Sequence, residues 1–177
     1  MTKYHSRLVV LLGAIAAAAA MRLVPHPFNF TPVGAMALFS GTYLGRRPLA
    51  FAAPLGALLL SDVVLGFYSG MVTVYLATAA AVLIGWTLVQ RKNVLRVGAA
   101  ALASSVLFFV VTNFAMWLNS GFYPRTSTGL AECFVAAIPF FQNSVAGDLF
   151  YSALLFGGFA LLQQTIPQLR AGEPQAA

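Results

Sequence analysis

Charge is scarce in this chain. Its 177 residues hold four carboxylates, ten lysines and arginines, and two histidines. Charged residues make up 8% of the sequence, against about 25% in soluble domains, so a water-soluble globule is excluded. Cysteine is nearly absent too. Cys133 stands alone, which excludes an internal disulfide and a cysteine-built metal cage. Histidine is limited to His5 and His26, too few for a zinc or di-iron centre that needs several converging ligands. No metal and no cofactor is expected. The catalytic signatures H-E-x-x-H, G-x-S-x-G and G-x-x-x-x-G-K-[ST] are missing. No enzyme activity is therefore expected, and uphill transport would need an ion gradient or a separate motor. An embedded enzyme built on Asp62 and Asp148 would need both carboxylates within reach of one reacting atom.

What the chain has is apolar sequence, 60% of the total. It falls into stretches at about Leu8–Val24, Thr31–Leu44, Pro48–Phe67, Met71–Gln90, Val97–Leu118 and Ser144–Gln164. A spanning helix needs about 20 residues, within roughly 17–25. The expectation is an all-α membrane protein with six transmembrane helices in one bundle. Residues 1–7 form the N-terminus, 8–164 the membrane domain and 165–177 a mobile tail. The second stretch is short and flanked by Pro25, Pro27 and Pro32, so it is tilted, broken or partly inserted. Gly129–Phe141 is apolar but too short to cross. Pro139 and Gln142–Asn143 set it apart as a short outer helix or re-entrant segment before the last span.

The basic residues are sorted between the gaps. Lys3, Arg7, Arg46, Arg47, Arg91, Lys92, Arg96 and Arg170 fall on one side, and Arg22 and Arg125 on the other. Positive residues mark the cytoplasmic side, so both termini are expected there, in the bacterial inner membrane. The net charge of +6 thereby reads as topogenic, with the lipid bilayer and no nucleic acid as partner. Lys3 and Arg7 ahead of Leu8–Ala20 also resemble a signal peptide. Cleavage would leave five spans starting near Met21. The pairs Ala14–Ala18 and Ala16–Ala20 lie four apart, a spacing that lets another helix approach closely, either inside the bundle or in a docked partner.

Polar residues gather at the outer ends. Arg22, His26 and Asn29 follow the first stretch. Asp62 ends the third, and Asn113 and Trp117 lie one turn apart on the fifth. Glu132 sits on the short segment and Asp148 at the start of the last. An ionisable group inside the membrane costs about 2.5–3.5 kcal/mol on insertion scales and usually faces the bundle interior or a cavity. These eight residues are the candidate substrate site. Trp117 and Phe30 would cover apolar parts of a ligand, and the loops Pro25–Asn29 and Asn119–Thr128 would gate it. The alternative is salt-bridged packing, with Asp62 paired to Arg22 and Asp148 capping its own helix.

Four runs carry a resemblance: Pro25–Phe39, Leu60-Ser61-Asp62 before Leu65-Gly66, Thr112-Asn113-Phe114 with Trp117, and Tyr123-Pro124 with Glu132–Phe141 and Gly147-Asp148. They resemble an uncharacterised bacterial family of small membrane transport proteins. That resemblance covers about Arg22–Gly158 and supplies no ligand residues. A looser resemblance is to the S components, the substrate-binding membrane subunits of energy-coupling-factor transporters. It rests on six helices, cytoplasmic termini and small residues four apart on the first helix. It implies a small-molecule, vitamin-like micronutrient as substrate. It also implies either a transmembrane coupling subunit with its ATPases or solitary action. The other class of reading is a small structural or assembly membrane protein without cargo.

Overall fold

The computed structural model describes residues 3–170, and every regular element among them is helical. Helices α1 (Lys3–Ala20), α2 (Val33–Leu44), α3 (Leu49–Leu65), α4 (Met71–Trp86) and α5 (Val94–Asn119) are followed by α6 (Ser127–Ser152). A π-helical turn over Ala153–Gly157 then joins α6 to α7 (Gly158–Thr165). The run Ser127–Thr165 is thus one 39-residue helix, about 58 Å long at 1.5 Å per residue.

This corrects the expectation of a separate outer segment. Gly129–Phe141 is the first half of the last helix, and Pro139 lies inside it. A proline removes one N–H and crowds one carbonyl, and packed neighbours let membrane helices carry that defect. Pro54 inside α3 is a second case. Pro167–Arg170 forms a 3₁₀ turn with Leu169 buried, and Arg7 Nη1 donates to Leu169 O at 3.4 Å. The two ends of the described chain therefore meet. Residues 171–177, the rest of the expected tail, lie outside the described residues.

Three helical stretches are long and apolar enough to cross a membrane: His5–Leu23, Val94–Asn119 and Ser127–Thr165. The surface agrees with that composition. Leu60, Val63, Val64, Val72, Leu76, Leu154 and Leu161 are exposed, whereas Ser40, Thr42, Ser61, Asp62, Thr78, Ser104, Ser105 and Asp148 are buried. A polar interior inside an apolar exterior is the pattern of a membrane protein.

The shortest of these helices sits at the centre. All of α2 is buried except Gly34, with α3, α4, α5 and α6 around it. Its 12 residues rise only about 18 Å, against a hydrocarbon core of about 30 Å. It therefore begins part-way along the bundle. An aromatic group fills the space around its second half, with Phe39 and Tyr43 of α2 against Phe156 and Phe159 at ring separations of 4.7–5.7 Å.

Glycine makes the α2–α4 contact possible. A Cβ on Gly41 would strike the Val82 carbonyl, and one on Gly85 would strike the Leu38 carbonyl. With the backbones that close, Thr42 Oγ1 donates to Leu38 O at 2.7 Å and reaches Gly85 O at 3.0 Å. Basic groups collect at this end. The Arg7 guanidinium lies 6.0 Å from the Tyr43 ring, and the Lys92 ammonium 5.8 Å from it. Arg46 lies 5.8 Å from the Trp86 ring.

Gly41→Ala should lower unfolding free energy by about 1–3 kcal/mol, the usual cost of overpacking. Gly56→Ala, where an added Cβ meets nothing within 4 Å, should be near neutral. Thermal unfolding of the detergent-solubilised protein checks both. Equal midpoints for the two variants would contradict the packing.

Candidate functional site

The eight expected site residues divide into three groups in space. Arg22 and Asp62 form the first. Arg22 lies in a short 3₁₀ turn after α1 (Met21–Leu23), and Asp62 lies one turn from the end of α3. The Asp62 carboxylate is fully buried, with Oδ1 2.8 Å from Arg22 Nη2 as an ion pair set off the N–H axis. Tyr75 of α4 donates its hydroxyl to Asp62 Oδ2 at 3.0 Å. Arg22 Nη1 donates to Ser61 Oγ and, at 3.3 Å, to Leu58 O. Every polar partner of this carboxylate comes from protein. The unit staples the turn after α1 to α3 and α4.

Asp148, Asn29 and Asn113 form the second group. Asp148 is 22 residues into α6, not at its start, and is buried. It caps a different helix. Pro32 precedes α2 and gives no side-chain cap. The Asp148 carboxylate lies directly against Gly34 Cα, where a Cβ would collide with both of its oxygens. The Ala35 backbone N–H faces the same carboxylate. The first amides of a helix have no intrahelical acceptor and carry its positive end, so a carboxylate set beside Gly34 from a neighbouring helix complements that end. Ser105 of α5 donates to Asp148 Oδ2 at 2.6 Å. Gly147 permits the approach, because its open side lies 3.0–3.2 Å from Phe30 Cα and the Thr31 backbone.

Two small cavities lie in this region, and Asp148 lines the smaller. One of about 40 Å³ is lined by Asn29, Thr31, Thr78, Ser104, Ser144 and Asp148, among others. The second, of about 80 Å³, is lined by Asn29, Phe108, Thr112, Asn113, Phe140 and Ser144, among others. Asn29, Phe108 and Ser144 belong to both linings. About 10–15 Å³ on this measure holds one water, so these spaces hold a few waters or a small ion. The loop before α2 lies over them. Asn143 Nδ2 donates to Phe28 O at 2.9 Å, and Phe30 packs 5.8 Å from Phe150 and 5.7 Å from Tyr151. Asn29 adopts φ 63° in this loop, a left-handed conformation that asparagine tolerates better than most residues.

The third group stays outside the cavities. His26 Nδ1 lies 2.9 Å from Pro27 O in an exposed turn, and Glu132 is exposed on α6. Trp117 Nε1 donates to Pro124 O at 3.0 Å, which pins the α5–α6 loop instead of lining either cavity. Thr126 caps α6 through the Gly129 N–H at 3.2 Å. On α1, Ala18 is buried while Ala16 and Ala20 are exposed, so one small-residue pair packs inward and the other lies on the surface. The Cys133 Sγ lies 3.5 Å from Asn113 O and is buried. Asp62 and Asp148 occupy separate surroundings, which argues against their use as one acid–base pair.

The residues not anticipated are the hydroxyls Thr31, Thr78, Ser104, Ser105 and Ser144, together with Gly34. Small hydroxyl residues in membrane helices commonly bond to their own backbone, so in the sequence they carry no signal of convergence.

Removing one partner of the buried Arg22–Asp62 pair should cost about 3–5 kcal/mol. Arg22→Leu and Asp62→Leu should each unfold at clearly lower temperature, while the double variant should recover most of the loss. A double variant as unstable as the sum of the single variants would contradict the staple.

No curated protein and no solved structure matches the chain. A family profile matches residues 2–169, nearly the whole sequence, and by that match the chain belongs to a family of unknown function, DUF6580.

Proposed function

We propose that the chain is a small multi-pass transport protein of the bacterial inner membrane. It takes a polar micronutrient from the outer face through the paired cavities beside Asp148. One observation carries this reading: the buried polar groups Thr78 of α4, Ser104 of α5 and Ser144 and Asp148 of α6 converge on open space inside an apolar bundle, with Asn29 and Thr31 of the loop before α2 at its edge. Binding sites in membrane proteins are built this way because desolvated polar groups are expensive unless a cavity or cargo uses them.

The topology follows the positive-inside rule. The chain crosses six times, α2 completing its crossing together with the extended segment that leads into it, and the basic end carrying Arg7, Arg46, Lys92 and Arg170 is cytoplasmic. Helices α3 and α4, with 17 and 16 residues, cross at the lower end of the usual length, and local thinning of the bilayer accommodates them. The cavities then open toward the outer leaflet under the Pro25–Pro32 loop. At about 40 and 80 Å³ they are too small for a vitamin-sized cargo, so the structure corresponds to a closed state. Cargo entry requires the loop to leave α6, breaking the Asn143–Phe28 bond and the packing of Phe30. Capture from outside extends the S-component resemblance of the sequence. In that scheme the exposed Ala16–Ala20 face of α1 meets a coupling subunit, and the chain otherwise acts alone.

A structural reading without cargo has its own support in the Arg22–Asp62–Tyr75 unit, in which the buried carboxylate is ion-paired to Arg22 and accepts from Tyr75. The two readings differ in what the purified protein carries. Mass spectrometry of gently solubilised protein should recover a small polar solute from the wild type and much less from Asn113→Leu, which removes the amide from the lining of the larger cavity at nearly constant shape. Repeated recovery of none would leave the structural reading standing.

Orientation has a separate check. In a Cys133→Ala background, an impermeant thiol reagent should label Phe122→Cys in intact spheroplasts and should label Arg91→Cys only after lysis. The opposite pattern would invert the topology.

A further inference from the structure

The smaller cavity has a lining of unusual composition. Asp148 contributes a carboxylate. Thr78 and Ser144 contribute hydroxyls whose protons are already committed, to Val74 O at 2.7 Å and to Phe140 O at 3.1 Å. A hydroxyl that donates backward to its helix keeps its lone pairs for other partners. Thr31, Ser104 and Asn29 add further oxygens to the lining. The polar part of the lining therefore consists mainly of acceptors, beside the apolar Val33, Ala77, Ala81 and Phe108.

The carboxylate has capacity to spare. It offers about four acceptor positions when ionised, and Ser105 and the Ala35 N–H account for two. Among the described residues no lysine, arginine or histidine forms an ion pair with Asp148, whereas Asp62 has Arg22. The two buried carboxylates of one bundle are thus treated differently. One is neutralised by a protein cation, and the other faces a cavity of about 40 Å³ that can admit a small cation.

We propose that this cavity is a binding site for a monovalent metal cation, tested here with sodium. One carboxylate balances one positive charge, and neutral hydroxyl and amide oxygens replace the rest of the hydration shell. A divalent ion would leave a net positive charge buried in a low-dielectric interior, at high cost. The positive end of α2 also lies against Asp148, which disfavours the higher charge further. The inference rests on the transport reading for its purpose alone. The chain has no nucleotide-binding loop of its own, and a bound cation shared between α2, α4, α5 and α6 would let an ion gradient bias the closed state.

The test is thermal unfolding of the full chain in sodium chloride against choline chloride at matched ionic strength, followed by calorimetric titration with sodium. The wild type should gain a few degrees, saturating with sodium concentration as for any ligand of the folded state. Asp148→Asn should lose the gain. Thr78→Val and Ser144→Ala should fold and bind sodium several-fold more weakly, and Glu132→Gln should behave as wild type. Identical wild-type curves in the two salts would overturn the proposal, as would undiminished sodium affinity in both hydroxyl variants. The latter holds even if Asp148→Asn does not fold. A sodium response in protein that never carries a solute would uphold the site and remove the transport reading. A co-purified solute without any sodium response would do the reverse.

Discussion

The bundle is organised around a helix that starts in the wrong place for a simple membrane crossing. With only 12 residues, α2 leaves its first amides inside the protein, away from either surface. Unsatisfied backbone N–H groups at that depth are costly, since no water is at hand. The carboxylate of Asp148 meets that demand from across the bundle, with Ser105 holding its other oxygen at 2.6 Å. Glycine at 34 and at 147 is what lets the two segments close to that distance. A methyl group at Gly34 would occupy the place of the carboxylate, and one at Gly147 would press on the Phe30–Thr31 backbone.

That constraint propagates outward. Because α2 begins deep, the chain from Val24 to Pro32 must run inward along α6 to reach it, and the contacts of Phe28, Phe30 and Thr31 with α6 follow. Because α2 is buried on nearly every side, its own side chains pack as a core. Its contact with α4 is close enough that Gly41 and Gly85 cannot carry a Cβ. The long helix Ser127–Thr165 passes beside α2 and supplies Asp148 at the start of α2 and Phe156 and Phe159 at its second half. Its π-helical turn, Ala153–Gly157, follows Asp148 and itself carries Phe156.

The sequence was legible where a single residue carries the physics. Sparse charge and sorted arginines mark a membrane chain. The Arg22–Asp62 pairing was weighed as packing from the cost of burying either charge alone. It was not legible where the physics depends on who the neighbour is. Asp148 looked like a residue at a helix start because Gln142–Asn143 and Pro139 precede it. In fact it lies mid-helix and caps a segment more than a hundred residues away in sequence. Pro139 looked like a boundary, yet a packed membrane helix tolerates the missing bond. Thr78, Ser105 and Ser144 were invisible because one hydroxyl in an apolar helix reads the same whether it faces its own backbone or a cavity.

The same geometry separates the part of the site that is fixed from the part that can open. Asp148, Ser105 and the α2 amides are held by three helices and by each other. The cover is held differently. Its polar link to α6 is the Asn143–Phe28 hydrogen bond, which is exposed, and Phe28 itself is 78% exposed. Phe30 contributes ring contacts, and Asn29 holds a left-handed turn that few side chains adopt without strain. An exposed hydrogen bond contributes about 0.5–1.5 kcal/mol, whereas uncovering the α2 amides would strand a buried carboxylate. Under the proposed transport reading, opening proceeds at the loop and the Asp148 anchor stays intact, with Asn29 and Ser144 lining both cavities and Asp148 the smaller alone.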